Sequence, residues 1–156
     1  MQMTIKLKEY NQKRNFEITG EPAGETKAPE EQLKFVVQHH AARGDHYDLR
    51  LEWDGALLSW AVPKGPSYNT RDKRLAVQVE DHPLEYRNFE GTIPKGEYGG
   101  GVVMLWDEGC WEPQVDVAEG LSTGSLKFVL KGSRLKGKWA LVRMKPKAGE
   151  AKNNWL

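Results

Sequence analysis

Two histidines and an aspartate stand at spacings that could hold a metal ion. In an extended strand, residues two apart point to the same face with Cα atoms about 6.5–7 Å apart, so His46 and Asp48 can converge on one cation. His40 lies six residues before His46 and could complete the set after a turn at Gly44. Two imidazoles and one carboxylate suit Mn²⁺, Fe²⁺ or Zn²⁺ and leave coordination positions for water and substrate.

Basic side chains near this set predict a phosphate site. Arg50 continues the same polar row, Lys64 lies in a rigid Pro-Lys-Gly-Pro turn, and Arg74 and His82 flank another predicted strand. Arginine binds phosphate through its planar fork, and lysine binds it as a point charge. Each of these residues alone is more typical of the protein surface. Their joint presence beside a strand that could bind metal is what favours phosphate binding.

Residue chemistry leaves more than one interpretation open. The polar row at 46–52 could simply face solvent on an amphipathic strand. A set of two histidines and one carboxylate could also belong to a non-haem Fe(II) oxygenase. In those enzymes, however, the third histidine usually follows the His-x-Asp pair at a distance, whereas His40 precedes it. The several basic groups favour a metal-dependent phosphoesterase.

Short strands must position these residues. Residues 46–53 alternate polar and apolar side chains, and Asp54-Gly55, a favoured hairpin pair, separates them from a return strand at 56–62. Further strands are predicted at 35–38, 75–80, 125–130 and 138–144, with a second hairpin of 101–106 and 110–112 around a turn at 107–109. Helix is expected only at 29–34 and 115–120. The pattern is typical of an all-β, mainly antiparallel barrel or sandwich.

Length and composition exclude several other classes. The 156 residues suggest one domain, and Lys+Arg 23 against Asp+Glu 22 gives no general basic excess, so nucleic-acid binding would need a local basic patch. The single Cys110 rules out an internal disulfide and a thiolate zinc cluster. No apolar run approaches the roughly 18 residues of a membrane span, and the N-terminus lacks the apolar core of a secretory signal. We therefore expect a cytoplasmic protein without a membrane partner.

The first 34 residues differ from the rest. They are polar, with a bias to Pro, Gly and Glu, and predict a loosely ordered arm at 1–34 before a domain at 35–156. The simpler interpretation is a flexible arm. The alternative is an arm that folds over the site and contributes Arg14 or Glu21 to it.

Longer motifs carry a resemblance to a known family. They are HYDLRLE at 46–52, SWAVPKGPS at 59–67, VEDHPL at 79–84 followed by Tyr86, and FEGTIPKGEYG at 89–99. The resemblance continues to Arg143 and so covers nearly the whole chain after the arm. In this order the motifs resemble the 3′-phosphoesterase domain of bacterial DNA ligase D.

The resemblance implies a small closed β-barrel with few short helices. It implies an enzyme that removes a terminal 3′ ribonucleoside and then the remaining 3′-phosphate from broken DNA, with manganese as cofactor and duplex or primer-template 3′ ends as partner. The roles it implies, by position, are metal ligands for His40, His46 and Asp48; contacts of the scissile phosphate for Arg50, His82 and Tyr86; further phosphate or substrate contacts for Lys64, Arg74 and Arg14; and orientation of neighbouring side chains for Glu80 and Glu21.

The chain also departs from the family pattern. Asn15 replaces the acid of an Arg-Asp-Phe motif, so we expect ribonucleoside removal to be weaker than phosphate removal. Gly44 and Asp45 replace an apolar residue before His46, which would loosen that turn. The sequence shows no polymerase or ligase domain, so it resembles a stand-alone version of the family domain or an excised domain. A separate polymerase and ligase are then expected as further partners. A non-catalytic module that binds DNA ends is the other class of function left open.

Overall fold

The computed structural model describes Tyr10 and residues 32–41, 44–94, 100–146 and 153–156. Most of this part of the chain is β-strand. The strands are β1 (Lys34–Ala41), β2 (His46–Trp53), β3 (Ala56–Val62), β4 (Ala76–His82), β5 (Gly91–Ile93), β6 (Gly101–Pro113), β7 (Ser125–Gly132), β8 (Lys136–Val142) and β9 (Asn154–Trp155). Two helical elements interrupt them, a 3-10 helix (Leu84–Asn88) and α1 (Val117–Thr123).

The described strands form one antiparallel sheet that nearly closes on itself. Their order is β8-β7-β6-β1-β2-β3-β4-β9, and β5 pairs with β6. Arg143, directly after β8, forms a bridge with Trp155 of β9, and Val142 and Leu156 exchange backbone hydrogen bonds of 2.9 and 2.8 Å. These contacts join the two ends of the sheet. The prediction of an all-β, mainly antiparallel barrel is confirmed.

The hairpin of β2 and β3 forms as the sequence predicts. Asp54 and Gly55 both have positive φ, 52° and 81°, the backbone that a two-residue hairpin turn of the favoured type requires. The turn sets the register, in which Trp53 pairs with Ala56 and Arg50 with Ser59. This register decides which β3 side chains lie beside the polar row.

The two faces of β2 are both covered. Its inner face contributes Leu51 to the barrel core, where the fully buried aromatic side chains are Phe35, Trp60, Trp111, Phe128 and Trp155. A smaller cluster of Tyr10, Leu57 and Tyr86 packs outside the barrel with Leu84 and Phe89. The outer polar row is therefore buried from Asp48 onward, and Asp48, Arg50 and Glu52 are only 5%, 3% and 1% exposed. The interpretation of this row as a solvent-facing surface is wrong.

β6 runs straight through the residues where the sequence predicts a second hairpin turn, so that prediction is also wrong. Asp107 is buried, and its carboxylate accepts hydrogen bonds of 2.8–3.1 Å from the backbone N–H groups of residues 133–135. Gly109 serves close strand packing, because a Cβ there would collide with the backbone oxygen of Lys131 in β7. Asp107 and Gly109 therefore make contacts with residues distant in sequence and do not form a turn.

The helix predictions succeed only in part. The helix expected at 115–120 is α1, displaced toward the C-terminus, where Asp116 caps the first turn by accepting the Glu119 N–H at 2.9 Å. The helix expected at 29–34 is wrong over 32–34, since Lys34 begins β1, and 29–31 lie outside the described residues. The 3-10 helix was not predicted. β4 begins one residue later than predicted and extends through His82.

The boundary between an arm at 1–34 and a barrel at 35–156 stays a prediction, because 1–9 and 11–31 lie outside the described residues. Tyr10 is nevertheless fully buried, so at least this position of the predicted arm packs on the barrel. No helix of the described residues has the length and apolar character to cross a membrane.

Candidate active site

The three predicted metal ligands meet on the outer face of β1 and β2. His40 pairs with His46 across the two strands, and Asp48 follows two residues later on the same face. One ring nitrogen of each histidine and one oxygen of Asp48 all lie within 4.8 Å of one another. The His46 Nδ1–Asp48 Oδ1 distance is 2.8 Å, and the His40 Nδ1–Asp48 Oδ2 distance is 3.7 Å. These residues form a possible metal site.

The electrostatics of this site suit a divalent cation. Burial opposes ionisation of Asp48, but hydrogen bonds from His40 and His46 and the charge of Arg50 outweigh it and lower its pKa. The carboxylate is therefore charged at neutral pH. His40 Nε2 is buried and has no hydrogen-bond partner in the described part of the chain, which leaves a lone pair or a proton unsatisfied. Two imidazoles and a carboxylate fit Mn²⁺, Fe²⁺ and Zn²⁺ alike.

Arg50 lies beside the possible metal site and is held in place from several sides. Its Nε donates to Gln38 Oε1 at 2.7 Å, and its Nη2 lies 3.4 Å from Asp48 Oδ2. The guanidinium also lies over the Tyr86 ring, 4.8 Å from the centroid. Arg50 Nη1 is buried without a hydrogen-bond partner among the described residues. A buried N–H donor without an acceptor is costly, so this atom is suited to an anion.

His82 and Tyr86 form an aromatic pair next to Arg50. Their ring centroids are 4.7 Å apart in an edge-on arrangement, and Tyr10 contacts the His82 ring edge-on at 4.8 Å. His82 Nδ1 lies 2.9 Å from the backbone oxygen of Glu80. Because a carbonyl can only accept, Nδ1 carries the proton, and a neutral ring has its lone pair on Nε2. Glu80 is itself buried.

Gln38 was not among the residues predicted from the sequence, yet it contacts this site in three places. It is fully buried and bonds to Arg50 and to the backbone oxygens of Tyr86 and Phe89. The available signal was its position: Gln38 stands two residues before His40, so a strand places both on one face. Strand alternation therefore puts Gln38 in the polar row.

Lys64 and Arg74 lie together in the connection between β3 and β4. Arg74 Nη1 donates to the backbone oxygen of Lys64 at 2.9 Å, and its Nη2 lies 3.3 Å from Asp72 Oδ2. A hydrogen bond from Ser67 is the main cause that lowers the pKa of Asp72. Arg74 also lines a partly open apolar pocket of about 390 Å³, together with Leu49 of the inner face. Within the described ranges, neither basic residue bonds to the possible metal ligands.

The structure therefore groups some predicted residues and separates others. The contacts above connect six of them into one site: His40, His46, Asp48, Arg50, His82 and Tyr86. Glu80 adjoins this site through its backbone, whereas Lys64 and Arg74 form a separate pair in this conformation. Arg14, Asn15 and Glu21 lie outside the described residues, as do residues 95–99 at the end of the FEGTIPKGEYG motif.

Comparison with known proteins identifies the family of this chain. A family model described as the DNA ligase D 3′-phosphoesterase domain matches residues 38–143, a range that contains all six residues of the site. The chain belongs to this family. The family resemblance drawn from the motifs is confirmed, and family membership supports a phosphoesterase, a class of hydrolase.

Curated relatives extend the similarity beyond the family match. The chain is 53% identical over 139 residues to the multifunctional non-homologous end joining protein LigD of Pseudomonas aeruginosa, an alignment that covers 88% of this chain and 16% of that protein. It is 45% identical over 139 residues to the Mycobacterium tuberculosis protein, covering 88% and 18%. With the Mycolicibacterium smegmatis protein, identity is 44% over 158 residues, covering 97% and 20%. The chain thus spans a fifth or less of the length of these relatives.

Proposed function

We propose that this chain is a manganese-dependent phosphoesterase that heals DNA 3′ ends. It removes 3′-terminal ribonucleosides and 3′-phosphates and leaves 3′-OH ends for repair synthesis and ligation. The observation that carries the proposal is the contact of Arg50 with both Asp48 and Tyr86, which joins possible metal ligands and an anion-binding donor in one site. The family match supports the 3′ end as the place of reaction.

His40, His46 and Asp48 would hold the manganese ion. When bound, the ion would polarise a phosphate oxygen and lower the pKa of a coordinated water. The chain's own contribution is a carboxylate that stays ionised, through the lowered pKa of Asp48, and a His40 ring with an available buried Nε2. Both features favour cation binding without a large rearrangement of β1 and β2.

The neighbouring side chains would bind the scissile phosphate. Arg50 Nη1 donates to a phosphate oxygen and offsets negative charge as the 3′ oxygen leaves. His82 holds the proton of Nδ1 against the Glu80 backbone oxygen, so it contacts the phosphate or exchanges a proton through Nε2. Tyr86 contributes its hydroxyl and supports the guanidinium of Arg50 with its ring.

The remaining predicted residues would act further from the reacting phosphate. Lys64, Arg74 and Arg14 bind additional phosphate or sugar groups of the substrate, and the Arg74 guanidinium has N–H donors beyond its contacts with Lys64 and Asp72. Glu80 and Glu21 orient neighbouring groups. With Asn15 in place of an acid, phosphate removal is the stronger of the two activities.

The partner would be a DNA primer-template or duplex end, including ends with a 3′ ribonucleotide. Contacts to the phosphate backbone position the duplex and give little sequence preference. We expect the logarithm of the affinity for such ends to fall with log salt concentration, by a slope of roughly 0.9 per phosphate neutralised. Fluorescence anisotropy across a salt series measures this, and affinity that does not change with salt would contradict backbone binding. In keeping with the names of the relatives, we place the reaction in non-homologous end joining, followed by polymerase and ligase steps.

The deciding experiment uses a 5′-labelled primer annealed to a longer template, ending in a 3′-phosphate or in one 3′ ribonucleotide. The protein is incubated with manganese, magnesium or a chelator, beside the His46→Ala variant. We expect manganese-dependent conversion to a 3′-OH end, lost with chelator and in the variant.

Other results would revise the proposal in defined ways. Removal of the phosphate but not of the ribonucleoside would support the effect of Asn15. Activity with every metal and with chelator would exclude the metal assignment. Retained binding of duplex ends without any product would make the chain a non-catalytic end-binding module.

A further inference from the structure

We propose that Gln38 is a positioning residue for the phosphate-binding side of this site, an inference that rests on the proposed function. Gln38 does not touch the reacting atoms. It bonds at once to Arg50 and to the 3-10 helix that carries Tyr86, and so fixes two proposed phosphate contacts relative to each other. It is 0% exposed, and the register between β1 and β6 shifts directly before it, an irregularity of the kind that re-aims side chains near active sites.

The hydrogen-bond partners leave one orientation for the Gln38 amide. Nε2 donates to the backbone oxygens of Tyr86 and Phe89 at 2.8 and 3.0 Å. Those oxygens can only accept, so the amide NH₂ must face the helix. Oε1 then faces Arg50 Nε, which can only donate, at 2.7 Å. Both amide hydrogens and the oxygen are used, and reversing the amide would oppose like groups at all three contacts.

This orientation decides which edge of the Arg50 guanidinium is available. Nε is bound by Gln38, Nη2 is directed to Asp48, and one face of the guanidinium is covered by Tyr86. Nη1 is left buried without a partner among the described residues. Without the Gln38 oxygen, rotation about the side-chain torsions would let Nε or Nη1 turn to other acceptors. Gln38 therefore pre-organises Nη1 for an incoming phosphate oxygen.

The same amide secures the end of the 3-10 helix. The Tyr86 oxygen accepts the Phe89 N–H at 3.0 Å and also the Gln38 amide, and the Phe89 oxygen accepts the second amide hydrogen. Carbonyls at a helix end need partners from outside the helix. Since the helix carries Tyr86, whose ring lies under Arg50, the two phosphate contacts are held as one unit.

The test compares Gln38→Met with Gln78→Met as a matched control. Gln78 is also on a strand, where its Oε1 accepts the Trp155 indole N–H at 3.1 Å, and it has no role in the proposed reaction. We expect Gln38→Met to lower kcat/KM on the 3′-phosphate primer-template by roughly 10–100-fold. This is less than the cost of removing a donor outright, because Arg50 itself is still present. Inhibition by inorganic phosphate should weaken in parallel, while Mn²⁺ affinity stays within about twofold of wild type.

A double-mutant cycle separates positioning from a general loss of structure. If Gln38 acts through Arg50, then Gln38→Met should cost little further turnover in an Arg50→Ala background. Additive losses, or a Gln38→Met enzyme with full turnover, would overturn the proposal. Where Gln38→Met does not fold, Gln38→Asn supplies the same cycle, because it keeps an amide but draws it back by one methylene.

An NMR measurement keeps this proposal distinct from the proposed function. The side-chain Nε–H of Arg50 should exchange slowly with solvent in wild type and in Gln78→Met, and rapidly in the Gln38 variant. Slow exchange in the Gln38 variant would reject the positioning role, even if the enzyme is active. An inactive wild type with the expected exchange pattern would instead reject the proposed function and leave the structural coupling intact.

Discussion

The outer and inner faces of β1 and β2 are buried to nearly the same extent, although their chemistry is opposite. On the inner face, Val37 and Leu51 are 1% and 0% exposed. On the outer face, His40, Asp48 and Arg50 are 6%, 5% and 3% exposed. Burial of the apolar side chains stabilises the fold by about 1.5–3 kcal/mol each. Burial of the charged ones opposes folding unless every group finds a partner.

This contrast indicates that the outer face of β1 and β2 is the part of the barrel suited to binding a ligand. The charged face is paired within itself, through Asp48 with both histidines and with Arg50. It still leaves His40 Nε2 and Arg50 Nη1 without partners in the described part of the chain. A bound cation and a bound anion would give these two atoms the partners that buried polar groups usually have. The inner face thus belongs to the barrel core, and the outer face holds the residues of the proposed site.

The largest expected effect comes from removing a possible metal ligand on the outer face. His46→Ala leaves two of three ligands, and a metal ion contributes several kcal/mol to such reactions, or roughly a thousandfold in turnover or more. We expect turnover to disappear, with little change in unfolding temperature, since His46 is a quarter exposed at its side chain. Steady-state kinetics and calorimetric Mn²⁺ titration measure turnover and metal binding, and a thermal melt measures stability. Undiminished turnover would remove His46 from the metal site.

Arg50→Ala tests the anion-binding part of the same face. We expect turnover to fall by about 10²–10³-fold, the usual cost of a donor that meets developing charge, while Mn²⁺ still binds. The measurement is kcat at saturating manganese beside the Mn²⁺ affinity of each protein. Loss of metal binding in this variant would assign Arg50 a structural role through its 3.4 Å contact with Asp48.

Leu51→Ala should lower stability and leave turnover nearly unchanged, the opposite of the His46→Ala result, because it changes the inner face only. Truncation of a fully buried leucine costs about 2–5 kcal/mol in the free energy of unfolding. Turnover per folded molecule should stay near the wild-type value at temperatures well below the transition. Urea unfolding and single-temperature kinetics test this prediction. A large loss of turnover in folded protein would mean that the two faces are coupled rather than separable.

Arg74→Ala should have the smallest effect. The Arg74 side chain is a third exposed, and exposed contacts between charged groups contribute only about 0–1 kcal/mol. We expect KM to rise by roughly tenfold or less, without a change in kcat. Kinetics on the 3′-phosphate and 3′-ribonucleotide primers measure this, with Arg71→Ala as a control from the same connection. A loss as large as that of Arg50→Ala would place Arg74 at the scissile phosphate.

Local residue patterns were sufficient for the parts of the molecule that depend on neighbours in sequence. The alternation at 46–53 and the Asp54-Gly55 pair set β2, its turn and β3, because side-chain period and turn backbone are local properties. They also set which side chains share a face, so the strand period alone was enough to group His46, Asp48 and Arg50. The grouping of basic side chains added His82 as a candidate, and motif resemblance added Tyr86.

Tertiary structure decided everything that depends on distant contacts. Asp107 and Gly109 are residue types typical of turns, but here they lie within the continuous strand β6. Asp107 accepts hydrogen bonds from the backbone of residues 133–135, and Gly109 packs closely against the backbone of Lys131 in β7. Side-chain alternation in the sequence determined that a polar row exists on β2. In the described part of the chain, Tyr10 and the 3-10 helix pack in a cluster beside that face, and the row is buried. Sequence alternation could not predict this, because burial and the partners of each polar atom are set by elements far away along the chain.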